Sequence, residues 1–277
     1  MDVRTQTEQH YARSGLLDAI VDAVRASGKD PARLSPADLA PVDEFHIRGR
    51  DGTVELAGRA ALQRGLRVLD VGCGLGGSAR YLASEFGCQV IGIDVTREYV
   101  EAAEVLARMV GLSSKVRFQQ ASALELPFRE GSFDVVWTEH AQMNIADKAR
   151  FYGGLARLLK PGGRLMFHDI FRGSGAAPVY PVPWADEPSI SFLALAERVR
   201  DLLLSFGLTI ADWDDRTEAS VAWFRAMGER IASNGRPPLG LHLLMGPTAP
   251  AKFANMVQGL AERRIVAIQA VAARPRA

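Results

Sequence analysis

Asp70 and Asp94 are the acids whose surroundings could do chemistry. Asp70 closes the apolar run Leu66-Arg-Val-Leu-Asp70 and runs into Val71-Gly-Cys-Gly-Leu-Gly-Gly77, whereas Asp94 closes a second apolar run, Gln89-Val-Ile-Gly-Ile-Asp94. Between them lies a helix-compatible stretch, Ser78 to Phe86, so the pattern predicts strand, tight turn, helix, strand. In an open parallel sheet, ligands bind at the carboxyl edge where strand order reverses. Glycines there let the backbone approach a ligand closely, and an acid ending the second strand can accept both hydroxyls of a ribose. These residues therefore predict a nucleoside site. Gly72, Gly74 and Gly77 also fit the dinucleotide fingerprint, but Asp70, two residues ahead of the first glycine, would repel a pyrophosphate and attract an ammonium group.

A ligand that joins ribose and adenine to an amino-acid tail is S-adenosylmethionine. Asp70, Gly72, Gly74 and Gly76 match the acid-x-Gly-x-Gly-x-Gly motif, and here the chain resembles the class I S-adenosylmethionine-dependent methyltransferases. The resemblance continues through Val116 to Phe128, similar to that family's third strand and adenine-holding loop. Ser122 replaces the usual acid there, beside Ala123, and its hydroxyl can still accept a hydrogen bond. Ser132 to His140 resembles the fourth strand, Ala149 to Leu159 the next helix, Lys160 to Arg164 a tight turn, and Leu165 to Phe171 the fifth strand. Within that class the chain resembles sarcosine/dimethylglycine and phosphoethanolamine N-methyltransferases and ubiquinone- and sterol-type C-methyltransferases. It implies an α/β, Rossmann-like fold with a seven-stranded, mostly parallel sheet, helices on both faces and a helical cap. It also implies S-adenosylmethionine as cofactor and S-adenosylhomocysteine as product.

A methyl group moves from a sulfonium by in-line displacement, so the protein must align the partners, exclude water and, for some acceptors, remove a proton. His140, just after strand four, and His168, near the end of strand five, are the candidate bases. Asn144 falls where the N-methyltransferases place a polar acceptor contact, and Gln142, Tyr180 and Trp184 are further candidate acceptor contacts. Asp169 could orient His168 or cap the next segment. The resemblance adds Tyr11 of the first helix and His46 and Gly49 of the segment before strand one as cofactor contacts. Val95 and Glu139, at the strand ends beside the glycine turn, complete the cofactor set. Glu139 and Asp134 could suggest a divalent cation, but no dense acid cluster accompanies them, and no metal is expected.

Residues 1–65 read as a helical and apron segment. Residues 66–277 read as the core, with a cap between the sixth strand and the last at about 214–263, where Glu218 to Ser233 and Ala249 to Arg263 read as helices. The earlier segment has helical patterns at Gly15 to Arg25 and at about Thr53 to Gln63. Lys plus Arg number 33 and Asp plus Glu 32, a balance that draws the protein neither to nucleic acid nor to an anionic surface. Cys73 and Cys88 lack metal-ligand spacing and read as reduced thiols. The amino terminus has no apolar signal core and no apolar stretch reaches membrane-spanning length, so the expectation is a cytoplasmic protein without membrane insertion. A small-molecule acceptor is the expected partner, and a homo-oligomer is compatible with this composition. Transfer to nitrogen or carbon is expected ahead of oxygen; the alternatives are an O-methyltransferase with a histidine base and an inactive S-adenosylmethionine-binding protein.

Overall fold

The computed structural model describes residues 3–276. Met1 and Asp2, part of the amino terminus read above as lacking an apolar core, lie outside the described residues, as does Ala277. Four helices precede the sheet: α1 (Val3–Tyr11), α2 (Leu16–Ala26), α3 (Pro36–Asp43) and α4 (Gly49–Gly58). The last begins earlier than the Thr53-to-Gln63 pattern predicts. Its three glycines are poor helix formers, and burial of Gly52, Thr53, Leu56 and Ala57 on one face holds it instead.

Alternation of strand and helix then runs β1 (Arg67–Val71), α5 (Gly77–Glu85), β2 (Gln89–Asp94), α6 (Arg97–Met109), β3 (Val116–Gln120), β4 (Phe133–Glu139) and α7 (Lys148–Leu158). It continues with β5 (Leu159–Arg172), α8 (Ala196–Ser205) and β6 (Thr209–Asp215), after which α9 (Thr217–Asn234), α10 (His242–Met245) and α11 (Ala249–Ala261) precede β7 (Ile265–Ala273). The strands form one seven-stranded sheet in the order β3-β2-β1-β4-β5-β7-β6. All neighbours are parallel except β7, which runs antiparallel to both β5 and β6. Strand order reverses between β1 and β4, and the glycine turn leaves the sheet at that point.

Side chains alternate across the sheet as the pleat requires. Leu69 and Val71 face the cluster under α7 and α8, whereas Val68 faces the one under α4, α5 and α6. Two further clusters bring in the amino-terminal helices and the cap. One joins α2, α3, α6 and α10 through Ile20, Leu39, Leu106 and Leu244; the other joins Ile47, Met143 and Trp184 to Phe224 of α9 and Met256 of α11. The turn expected at Lys160 to Arg164 is absorbed into β5. Leu159 already pairs with Phe133, and the register shifts before Arg164 meets Val135, so these residues form an irregularity within one strand. Further along the same ladder Glu139 pairs with His168, and across β5 His168 pairs with Gln269 of β7, so three polar side chains stand on adjacent strands.

Candidate active site

The glycine turn is made by the φ angles of Gly72, Gly74 and Gly76, which are +76°, +52° and +80°. At Gly72 the need is also steric, because a Cβ there would stand 2.8 Å from that of Ala141. Asp94 ties the turn to β2: its Oδ2 accepts from the Gly74 amide at 2.9 Å, and its Oδ1 from the Thr96 amide at 2.8 Å. Burial raises the Asp94 pKa, and these two amide bonds oppose the shift. Above the turn opens a cavity of about 290 Å³, walled by Gly72, Gly74, Asp94, Val95, Ala123 and Glu139 among others. Asp70 lies outside the wall, 2% exposed, with an Oδ2 that has no hydrogen-bond partner among the described residues. Burial, with Glu139, Glu44 and Asp94 nearby, drives its pKa well above the ordinary carboxylate value. A cationic ammonium beside this orphaned oxygen would satisfy it, and the close glycine backbone and the Asp94 carboxylate suit a ribose. The chain's residues therefore fit the cofactor implied above.

Helix α1 roofs this cavity through Val3, Arg4, Thr7 and Tyr11. The Tyr11 hydroxyl donates to Asn144 Oδ1 at 2.9 Å, while Asn144 Nδ2 donates to the carbonyls of Trp184 and Ile190 at 2.8 and 2.9 Å. Asn144 lines the cavity, and its amide also clasps α1 to the loop after β5. Trp184 also lines this cavity, 1% exposed, with its indole N–H on Ser191 Oγ at 2.9 Å. The expected roof of cap helices is thus a roof of α1. The cap residues Trp223, Phe224, Phe253 and Met256 instead border a second pocket of about 30 Å³, together with Phe45, His46 and Ile47.

His140 borders both pockets. It follows β4 directly, in the left-handed region with φ +50°, a conformation rare outside glycine and asparagine. Its own amide donates to the His168 carbonyl at 2.9 Å, and its Nε2 accepts a long bond, 3.4 Å, from the Ile47 amide. Burial, then the neighbouring His168 and His46, push its pKa well below 6.5. His168, expected as a base, lies outside both pocket walls and is fully buried; neither ring nitrogen has a hydrogen-bond partner among the described residues. Asp169 does not orient it. That carboxylate accepts from the Ala141 and Gln142 amides at 3.1 and 3.0 Å, capping the turn after β4, and burial raises its pKa to about 7.

His46 is displaced from the expected cofactor contact to the small pocket. Its Nε2 donates to Glu44 Oε2 at 2.9 Å and lies 3.6 Å from Glu139 Oε2. Burial alone would lower its pKa, but the Glu139 charge and the Glu44 bond outweigh that and raise it to about 9. The three histidine rings gather with centroids 5.0 to 5.9 Å apart.

Four other expected site residues do not line the larger cavity. Gly49 lines neither pocket and starts α4 facing Trp223. Ser122 turns its hydroxyl onto the Leu124 amide at 3.2 Å, leaving Ala123 on the wall. Gln142 is fully buried, with Nε2 on the Ile170 carbonyl. Tyr180 is half-buried against the cap cluster. Sequence reasoning missed Val3, Arg4, Thr7, Phe45, Tyr99 and Met143 of the larger cavity wall. Tyr99, in the first turn of the helix following Asp94, offered a signal by its position, as did Met143 in the turn after β4; the others depend on how α1 and the apron pack.

Residues 69–167 match the family model described as a methyltransferase domain. The chloroplastic tocopherol O-methyltransferase of Arabidopsis thaliana is 46% identical over 100 residues, covering 36% of this chain and 29% of that protein. The methyltransferase GfsG of Streptomyces halstedii is 37% identical over 133 residues, 48% of each chain. The chain thus spans less than half the length of these curated relatives. Among solved structures, the fold is similar to phosphoethanolamine N-methyltransferase 2 of Haemonchus contortus in complex with S-adenosyl-L-methionine. The TM-score is 0.77 at 20% identity, covering all of this chain and 60% of that one. The glycine turn, Asp94 and strands β2, β3 and β4 lie within the residues that match that methyltransferase-domain model.

Proposed function

We propose that the protein is an S-adenosylmethionine-dependent methyltransferase acting on a small, largely apolar acceptor. One observation carries the reading: the cavity at the strand-order reversal joins the glycine turn and Asp94 on one side to His140 on the other. Asp94 would hold the ribose, the glycine backbone the amino-acid end with Asp70 beside it, and Ala123 the adenine side. When bound, the cofactor supplies an electrophilic methyl group, and S-adenosylhomocysteine is the product. The chain's own residues exclude water, through Tyr11, Met143 and Trp184, and position the acceptor's nucleophile. The balanced charge supports a diffusible acceptor over nucleic acid or a lipid surface, and among the described residues no helix is long and apolar enough to cross a membrane. Action in the cytoplasm belongs to the same reading.

Transfer to nitrogen or carbon is one arm of this proposal. A second reading, transfer to a hydroxyl oxygen, is favoured by His140, which faces both pockets with an accepting Nε2. An imidazole nitrogen that accepts is unprotonated; its one lone pair faces the Ile47 amide, so taking a hydroxyl proton requires that long bond to give way. The purified protein given labelled S-adenosylmethionine and a panel of amines, phenols and isoprenoids tests both readings, with products identified by mass spectrometry. Turnover on any arm supports methyl transfer and names the nucleophile. Cofactor binding with no turnover on any arm favours the inactive binder, and failure to bind the cofactor overturns the proposal.

A further inference from the structure

Glu139, His46 and His168 come from three separate elements, β4, the loop before α4, and β5. One ligand-type atom of each lies within 4.8 Å of the others. All three side chains are buried. Glu139 Oε2 is held by the Trp137 indole N–H at 2.8 Å and by the Ser78 hydroxyl, while Oε1 has no hydrogen-bond partner among the described residues and stands 3.9 Å from His168 Nδ1. His168 has both ring nitrogens unpartnered in the same sense. Gly52 keeps that side clear, since a Cβ there would stand 3.2 Å from Nδ1. On His46, Nδ1 lies 3.3 Å from the Ile47 carbonyl, to which it can donate while Nε2 turns inward.

Buried polar atoms without partners are rare and call for an explanation. Imidazole nitrogens and a carboxylate oxygen converging on one point, each oriented by a second hydrogen bond or by packing, are the donor set of a first-row divalent cation. We propose that His46, Glu139 and His168 bind such a cation, of the Zn²⁺ or Co²⁺ type, through His46 Nε2, His168 Nδ1 and Glu139 Oε1. Donors about a tetrahedral centre with bonds of about 2.1 Å lie about 3.4 Å apart. The present spacings are wider, so side-chain rotations draw the donors inward on binding. Glu44, which now shares the His46 Nε2 proton, retains the Thr53 hydroxyl at 2.7 Å when Nε2 turns to the cation. The cation would lie where the two pockets meet, because Glu139 lines the larger and His46 the smaller. This proposal does not rest on the methyl-transfer reading.

The test uses the full chain, freed of metal with a chelator and titrated with Co²⁺ as a spectroscopic probe, then with Zn²⁺ as competitor. The expected result is uptake of one equivalent, with visible ligand-field bands of a nitrogen and oxygen site, loss of those bands on adding Zn²⁺, and a raised melting temperature with Zn²⁺. Glu139→Gln and His168→Ala should each weaken uptake at least about hundredfold, whereas His242→Ala, outside the cluster, leaves it unchanged. Circular dichroism shows whether each variant is folded; the wild-type titration decides the question if either is not. A wild-type chain that takes up no stoichiometric Co²⁺ or Zn²⁺ overturns the proposal and leaves the cluster sharing only protons. Bands that persist in both folded variants overturn it equally. S-adenosylmethionine binding, measured with the chelator present, reports separately on the methyl-transfer reading.

Discussion

The two pockets that meet at His140 are built in different ways. The floor of the larger one comes from short stretches at the carboxyl ends of β1, β2, β3 and β4, residues 72–74, 94–95, 123–124 and 139–147. Its shape follows from backbone that must turn sharply and from one acid ending a strand. The smaller one is assembled from residues 45–47, His140, Pro183 and scattered members of α9, α10 and α11. No local pattern dictates it; it exists because helices of the insertion pack on the apron. The lesson is that the backbone sets the cofactor side, whereas tertiary packing sets what stands opposite, so substitutions on the two sides should fail in different ways.

The largest effect is expected at Trp184, which walls the larger cavity and belongs to the cap cluster. Trp184→Ala removes a buried indole and should cost about 3–5 kcal/mol of stability, read as a lowered melting temperature; a small stability change with altered acceptor kinetics would instead make Trp184 a substrate contact. Next comes His140→Ala, expected to lower turnover about hundredfold, about 2.7 kcal/mol, with cofactor affinity within a few-fold; equal turnover would remove the base. Because burial lowers the His140 pKa, the base form persists through pH 6.5 and the rate should fall only in more acid solution, a limb that the pH–rate profile of the wild type locates. Asp94→Ala should weaken S-adenosylmethionine binding at least about tenfold, about 1.4 kcal/mol, by calorimetry, with the fold intact; unchanged affinity would mean that the ligand lies elsewhere.

A last effect, read from the pH dependence of stability, concerns Lys148, whose ammonium donates to the Phe192 carbonyl at 2.7 Å and to those of Gln142 and Ile145 behind the larger cavity. Burial, opposed by Asp169, lowers its pKa from 10.5 to about 8. Between those values the unfolded chain binds the extra proton, so this group makes stability rise with pH across that window. Denaturant melts from pH 8 to 10 should show a shallow rise that is absent in Lys148→Met.

What could be read from the chain follows the same division. Gly72, Gly74 and Asp94 were legible because close approach and φ above zero demand glycine, and because the acid that ends β2 stands beside that turn, whereas Asp70 stands behind the cavity wall. The strand alternation was legible for the same local reason, and the sheet takes the order that such alternation implies. Helix α4 slipped by several residues because its glycines hide a helix held by burial. The role of Asn144 was illegible, since its partners Tyr11, Trp184 and Ile190 come from far along the chain. The gathering of His46 with Glu139 and His168 was hidden as well: β4 and β5 place two of them by register, but only the fold of the apron brings the third.

Helix α1 has a consequence for time rather than for structure. It covers the larger cavity and is fastened at one end by the Tyr11 hydroxyl on Asn144 and by His10 on the Pro183 carbonyl at 3.0 Å, with Gly15, φ +70°, just beyond it. If S-adenosylmethionine occupies the cavity as proposed, undocking of this one short helix widens the way out, and the dwell time of the spent cofactor is expected to follow it. Loosening it by Tyr11→Phe should speed release in stopped-flow displacement, and turnover would rise until bond making, instead of departure, limits it.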